Sequence, residues 1–148
     1  MITRIGRDEL NMRIAQLMAM RGTCQRGSVG CVITQDGRVV STGYVGAPAG
    51  MPHCPDEGCD MGPNGGCRTT SHAEAGAIAF AARKGVILEG STLYVTLSPC
   101  ETCAKLIINA GIREVYYKEP YRDTSGLELL IVAGLKVRQE VTYQYDDR

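Results

Sequence analysis

Residues 92–118 read TLYVTLSPCETCAKLIINAGIREVYYK, and this stretch decides the fold. Its pattern predicts a short strand over residues 92–97, a helix over residues 101–110 that ends at Gly111, and a second strand over residues 113–118. A crossover helix returns the chain to the same edge of a sheet, so these two strands should pair in parallel.

The rest of the chain extends this alternation in both directions. A helix is predicted over residues 8–21, with Asp8 as its N-cap. The other predicted elements are a hairpin of strands 28–34 and 38–44, a long loop over 46–71, helices over 73–84 and 124–133, and a last strand over 135–141. Because the hairpin adds an antiparallel part, this order predicts one α/β domain over residues 1–148. We expect three layers (α/β/α), with helices on both faces of a mixed five-stranded sheet.

The composition is that of an ordinary globular protein and excludes several classes. Of the 148 residues, 44% are hydrophobic and 22% are charged, which argues against disorder. Lys plus Arg number 16 and Asp plus Glu number 16, so a strongly basic protein that coats duplex nucleic acid is disfavoured. No apolar run approaches the roughly 20 residues that span a bilayer. The N-terminal region also lacks the apolar core of a signal peptide, so we expect a cytoplasmic protein without a membrane partner.

The seven cysteines carry the most information about function. Their number is odd, and cysteines stay reduced in the expected compartment, so a disulfide framework is disfavoured. Metal binding explains a clustered majority of them better. The exception is Cys31, which lies in a predicted strand between Gly30 and Val32 and should be a small buried apolar residue.

The first metal constellation combines His72-Ala73-Glu74 with Pro99-Cys100-Glu101-Thr102-Cys103. Both stretches lie where a loop enters a predicted helix, and Cys100 and Cys103 share one helical face. One His and two Cys give zinc three protein ligands and leave a fourth position for water, which is the arrangement of a catalytic site. Glu74 can then take a proton from that water and pass it to a leaving group. The alternative is a closed zinc knuckle in which Glu74 is merely solvated.

These motifs resemble the H-x-E…P-C-x-x-C signature of the zinc-dependent cytidine and deoxycytidylate deaminases. The resemblance extends over nearly the whole chain. It includes GYVGAPAG at residues 43–50, CAKLIINAGI at residues 103–112 and EPYR at residues 119–122. Among the subfamilies, these stretches point to deoxycytidylate deaminases.

The resemblance implies a cytidine deaminase-like fold and the hydrolysis of dCMP to dUMP and ammonia, which supplies dUMP for thymidylate synthesis. It implies that His72, Cys100 and Cys103 bind a catalytic Zn²⁺, that Glu74 moves the proton, and that zinc-bound hydroxide attacks carbon 4 of the pyrimidine. It also implies that the backbones of Ala73 and Ser98 contact the base edge. Family members are usually homohexamers, so we expect a homo-oligomer.

Two arginines are candidates for binding the nucleotide phosphate. Arg26 precedes the first strand and Arg122 follows Tyr121 in the loop after the fourth. The planar guanidinium makes bidentate hydrogen bonds to phosphate oxygens, and Tyr121 can stack on the base or close the pocket rim. The corresponding positions in the family close over the phosphate. From composition alone, all three would be ordinary surface side chains.

Two positions depart from the family pattern. Val45 replaces the Asn of G-Y-N-G, and Gly76 replaces the Asn of H-A-E-x-N-A. These changes call into question the usual sugar recognition and the usual nucleotide regulation. An alternative function is therefore a bifunctional dCMP and dCTP deaminase. A free-nucleoside deaminase, a tRNA-editing deaminase and a non-catalytic zinc-binding module are further alternatives.

A second metal is predicted from the remaining cysteines. Cys54, Cys59 and Cys67 lie in the Gly- and Pro-rich loop, and Cys24 precedes the first strand. Four soft ligands suggest a closed structural Zn²⁺ that would order the loop, with His53 as an alternative ligand. Several deoxycytidylate deaminases resemble this chain in having a second zinc near the equivalent positions. The alternative is a set of free thiols.

Overall fold

The computed structural model describes residues 4–54 and 59–140. Its helices are α1 (Arg7–Ala19), α2 (Ala73–Arg83), α3 (Glu101–Asn109) and α4 (Ser125–Val132). Its strands are β1 (Gly30–Gln35), β2 (Arg38–Tyr44), β3 (Thr92–Leu97), β4 (Glu114–Glu119) and β5 (Lys136–Gln139). The predicted order of elements is confirmed, with ends that differ by one or two residues at most places.

The N-cap of α1 is an exception. The sequence predicts Asp8 at this position, but the helix begins at Arg7 and its N-cap is Gly6. Asp8 lies in the first turn, where its carboxylate accepts a hydrogen bond of 2.7 Å from the hydroxyl of Tyr94. A contact across 86 residues therefore replaces the local capping bond that the sequence pattern suggests.

The sheet is mixed, as predicted, and its strand order is β2-β1-β3-β4-β5. Strand β1 is antiparallel to both β2 and β3, whereas β3, β4 and β5 are parallel. Because β2 and β3 run in the same direction, their carboxyl ends lie at one edge of the sheet. The chain leaves β3 for α3 at this edge, and α2 begins there before it leads into β3.

The two faces of the sheet carry different layers, which confirms the three-layer prediction. Val32 and Tyr94 pack with Met12 of α1 on one face. On the other face, Ile33 and Leu93 belong to the larger core, which also contains buried residues of α2, α3 and α4. Burial of each Leu, Ile or Val side chain in these layers stabilises the fold by about 1.5–3 kcal/mol relative to leaving it exposed.

A glycine brings α2 close to the sheet. A Cβ at Gly43 of β2 would lie 2.1 Å from the carbonyl oxygen of Ala73 and 2.8 Å from the backbone nitrogen of Ala77. Only a residue without a side chain allows this approach, which fixes the first turn of α2 against β2. Over the described ranges, no helix combines the length and apolar character that a membrane crossing needs.

Candidate active site

Three potential metal ligands meet at the starts of α2 and α3. His72 is the N-cap of α2, Cys100 is the N-cap of α3, and Cys103 lies in the first turn of α3. The Nδ1 atom of His72 lies 3.4 Å from the Sγ atom of Cys100 and 3.4 Å from that of Cys103. The sheet edge described above brings the two helix starts together, as the sequence predicts.

The spacing of these atoms fits zinc. Zn–N bonds of about 2.0 Å and Zn–S bonds of about 2.3 Å in a tetrahedral site place nitrogen and sulfur about 3.5 Å apart. The observed separations of 3.4 Å agree with this value. Three donors also leave one tetrahedral position unfilled by protein. Since His72, Cys100 and Glu74 line the same pocket, that position is accessible to a small molecule.

The electrostatics of the triad favour a thiolate at Cys100. Hydrogen bonds from the Cys103 thiol and from His72 lower the pKa of Cys100 to about 3. The same hydrogen bond with Cys100, followed by burial, raises the pKa of Cys103, which keeps its proton in the absence of a metal. The hydrogen bond to Cys100 raises the pKa of His72. A metal would replace these protons, since thiolate sulfur and neutral imidazole are the ligands that zinc binds.

Glu74 is a buried carboxyl beside this triad. Its side chain lies in the first turn of α2 and is 4% exposed. Burial raises its pKa to about 6, against the lowering influence of a backbone hydrogen bond and of His72. A carboxyl that titrates near neutral pH can both accept and release a proton during a reaction.

One pocket of about 390 Å³ unites most of the predicted site residues. Its volume suits a small ligand, since such sites measure about 300–1,000 Å³. Predicted site residues that line it are Cys24, Arg26, Cys67, His72, Glu74, Ser98, Cys100, Tyr121 and Arg122. Two of the three metal-binding residues, His72 and Cys100, therefore border the same space as both candidate phosphate-binding arginines.

The arginines occupy different surroundings in this pocket. A guanidinium nitrogen of Arg26 donates to the carbonyl oxygen of Gly65 at 3.0 Å and lies 3.5 Å from the sulfur of Met61. The guanidinium carbon of Arg122 lies 5.7 Å from the ring centroid of Tyr121, within the range of a cation–π contact. Both side chains bring positive charge to the pocket mouth.

The two residues expected to contact a base through their backbones are both buried. Ser98 lines the pocket, and its hydroxyl accepts a hydrogen bond of 2.7 Å from the backbone nitrogen of Tyr121. Ala73 lies between His72 and Glu74 but does not line the pocket. Its carbonyl oxygen instead lies against Gly43 of β2.

A second thiol cluster lies in the long loop. The sulfur atoms of Cys54, Cys59 and Cys67 all lie within 4.8 Å of one another, with 3.7 Å between Cys54 and Cys67. Two sulfur ligands of a tetrahedral zinc should be about 3.8 Å apart, so this spacing also fits. Cys24 lies outside that group, although it is near enough for its charge to raise the pKa of Cys59. His53 is exposed and outside the group.

The loop also supplies pocket residues that the sequence analysis missed. Asn64, Gly65, Gly66 and Thr70 line the pocket together with Cys67, which the sequence analysis did predict as a metal ligand, and we call these five residues the loop wall. The hydroxyl of Thr70 and the backbone amides of Thr70 and Thr69 lower the pKa of Cys67 to about 6. The length and glycine content of this loop were the only available signals of its role.

Comparisons with known proteins agree on one family. A family model described as "Cytidine and deoxycytidylate deaminase zinc-binding region" matches residues 6–119. The chain is 44% identical over 137 residues to ComE operon protein 2 of Bacillus subtilis, covering 92% of this chain and 72% of that protein. It is 38% identical over 138 residues to the deoxycytidylate deaminase of Saccharomyces cerevisiae, covering 89% of this chain but less than half (44%) of that protein. A crystal structure of the dCMP deaminase from cyanophage S-TIM5 in complex with dCMP and dUMP has a TM-score of 0.83 and 30% identity, and covers 94% of this chain and 100% of that chain.

Proposed function

Because this chain belongs to the family of cytidine and deoxycytidylate deaminases, we propose that it hydrolyses dCMP to dUMP and ammonia. The observation that carries this proposal is the single pocket. It joins a three-ligand metal centre and a buried carboxyl to two arginines. Deamination of a base requires the metal centre and the carboxyl, and binding of a phosphate requires the arginines.

The metal-binding residues and Glu74 divide the chemistry between them. His72, Cys100 and Cys103 would hold the catalytic Zn²⁺, which when bound lowers the pKa of a coordinated water towards about 7. Glu74 would accept a proton at its carboxylate and return it to the departing amino group. Its pKa of about 6 allows both transfers near neutral pH.

The other end of the pocket would bind the nucleotide. Arg26 and Arg122 supply guanidinium groups for the phosphate, and the ring of Tyr121 would cover the base or the pocket rim. We retain Ser98 and Ala73 as backbone contacts of the base edge. The geometry favours Ser98, because Ser98 lines the pocket.

A second, structural Zn²⁺ belongs to the same proposal. Cys54, Cys59 and Cys67 would be its ligands, with Cys24 as the fourth and His53 as the alternative. Such a metal would order the loop wall, because a loop rich in glycine and proline buries too little apolar surface to order itself.

A deaminase of both dCMP and dCTP is a second candidate. The observation in its favour is the pocket mouth, where Arg26 and Arg122 are both exposed. A non-catalytic zinc module is a further alternative, and a buried Glu74 beside the ligands argues against it. Homohexameric assembly, a cytoplasmic location and the supply of dUMP for thymidylate synthesis stay predictions.

Ammonia release from the zinc-loaded protein tests the proposal. The substrates are dCMP, dCTP, CMP and deoxycytidine, each at the same concentration. We expect turnover of dCMP and a loss of about 10²–10⁴-fold in Glu74→Gln. The matched control is Glu101→Gln, because Glu101 is an exposed acid in the first turn of α3.

The pattern of turnover decides between the proposal and its alternatives. Turnover of dCMP together with dCTP selects the bifunctional alternative. Release from none of the four substrates, with zinc bound, refutes the proposal and leaves a tRNA-editing deaminase or a non-catalytic module.

A further inference from the structure

The turn that carries Cys100 is held by hydrogen bonds to the last residue of β4 and to the segment that follows it. The backbone nitrogen of Ser98 donates to the carbonyl oxygen of Glu119 at 2.9 Å, and the hydroxyl of Ser98 accepts from the nitrogen of Tyr121 at 2.7 Å. The next residue, Pro99, has no backbone N–H with which to anchor itself. The position of the turn therefore depends on what packs against it.

Gly126 of α4 makes this packing contact. It is buried, and a Cβ built on it would lie 2.1 Å from the carbonyl oxygen of Pro99. The same Cβ would lie 2.8 Å from the carbonyl carbon of Cys100 and 2.9 Å from its oxygen. All three are backbone atoms, so no side-chain rotation could relieve the clash. The helix α4 therefore rests directly on the peptide groups around the metal ligand.

We infer that Gly126 is a positioning residue for the metal centre, because its missing side chain lets α4 fix the backbone of Cys100. This inference rests on the proposed zinc site. Ligand distances in zinc sites are held to about 0.2 Å. A Cβ at position 126 must move α4 or the turn by more than that, since ordinary contacts begin near 3.4 Å. A movement of the turn would change the separation of 3.4 Å between the sulfur of Cys100 and the nitrogen of His72.

The segment between β4 and α4 also carries two pocket residues. Tyr121 donates to Ser98 and is followed by Arg122, and both residues line the pocket together with Cys100. A shift of α4 should therefore disturb the proposed nucleotide contacts as well as the metal ligands. Zinc affinity measures the effect on the metal ligands separately from catalysis.

The test compares Gly126→Ala with Gly76→Ala. Gly76 lies within the first turns of α2, and a Cβ there meets no atom within 4 Å. Zinc affinity is measured by competition with a chromogenic chelator, and the thiolate-to-metal absorption is recorded after substitution with Co²⁺. We expect Gly126→Ala to bind zinc about 10–100-fold more weakly, with an altered Co²⁺ spectrum. Gly76→Ala should match the wild type in both measurements.

A third variant separates positioning from simple loss of stability. Leu130→Ala removes a fully buried side chain of α4 but adds no atom at Pro99 or Cys100. It should lower the melting temperature and leave the zinc affinity within about two-fold of the wild type. The inference is wrong if Gly126→Ala binds zinc like the wild type, or if Leu130→Ala weakens zinc binding equally.

Hydrogen exchange keeps the inference testable if Gly126→Ala does not fold. Adding zinc to the metal-free wild type should slow exchange in α4 more than in α1, which packs on the opposite face of the sheet. Equal slowing in both helices would overturn it. None of these measurements uses dCMP, so failure of the proposed reaction would be seen separately.

Discussion

Replacing Glu74 by glutamine should stop the reaction and stabilise the metal-free protein. The side chain is 4% exposed, and burial raises the pKa of its carboxyl from 4.5 to about 6. The folded state therefore disfavours the charged form relative to the unfolded state. At about 1.4 kcal/mol for each pKa unit, this difference costs the folded protein about 2 kcal/mol at pH 7.

The pH dependence distinguishes this effect from other causes. Because the pKa of Glu74 is higher in the folded state, the folded protein binds the proton more tightly. The contribution of Glu74 to the free energy of unfolding is then most favourable below about pH 4.5 and falls as the pH rises to about 6. Glutamine is neutral at every pH, so Glu74→Gln lacks this fall. The two proteins should be similar in stability at low pH and differ by about 2 kcal/mol at pH 7.

Urea unfolding followed by circular dichroism measures the difference. The metal-free, reduced proteins are compared at pH 4, 5, 6 and 7, with Glu101→Gln as the control. Glu101 is exposed and pairs with Lys105, so its replacement should change stability by no more than about 0.5 kcal/mol. If Glu74→Gln is no more stable than the wild type at pH 7, the burial argument is refuted. If the zinc-loaded variant turns over dCMP normally, Glu74 does not move the proton.

The remaining predictions concern the phosphate, the packing of α1 and the second metal. Arg122→Ala should raise KM for dCMP about 10–100-fold through loss of a charged hydrogen bond, whereas any KM for deoxycytidine stays unchanged in steady-state assays. Gly30→Ala should lower the free energy of unfolding by about 1–3 kcal/mol in urea melts, because its Cβ would lie 1.9 Å from the carbonyl oxygen of Ala15. Gly27→Ala, whose Cβ meets no atom within 4 Å, is its control and should stay near the wild type. Metal analysis should find two zinc ions per chain in the wild type and one in Cys67→Ser; one in both would contradict the structural zinc.

The sequence was most informative where local pattern and chemistry coincide. The β3–α3–β4 unit was predicted correctly because its strands are short and contain β-branched and aromatic residues, and because Gly111 ends the helix at a positive φ of 82°. His72 meets Cys100 because β2 and β3 run in the same direction, so that α2 and α3 begin at the same end of the sheet. The family resemblance drawn from these motifs is confirmed by the match over residues 6–119.

Features that depend on distant contacts could not be predicted in this way. Asp8 is a residue type that often caps helices, but its carboxylate instead accepts a hydrogen bond from Tyr94 of β3. Gly126 is an ordinary glycine in the sequence, and its importance arises only when α4 packs onto the turn at Pro99. The loop wall also depends on distant contacts, since the thiol cluster and the hydrogen bond between Arg26 and Gly65 hold it in place.

The loop wall has a consequence for how this scaffold can evolve. The groups proposed to break the C–N bond lie at helix ends that pack on the sheet, whereas another part of the pocket lining comes from a separate loop. Insertions and substitutions are tolerated far better in loops than in packed helices. Natural selection can therefore change which nucleotides are admitted while the reaction itself is inherited unchanged.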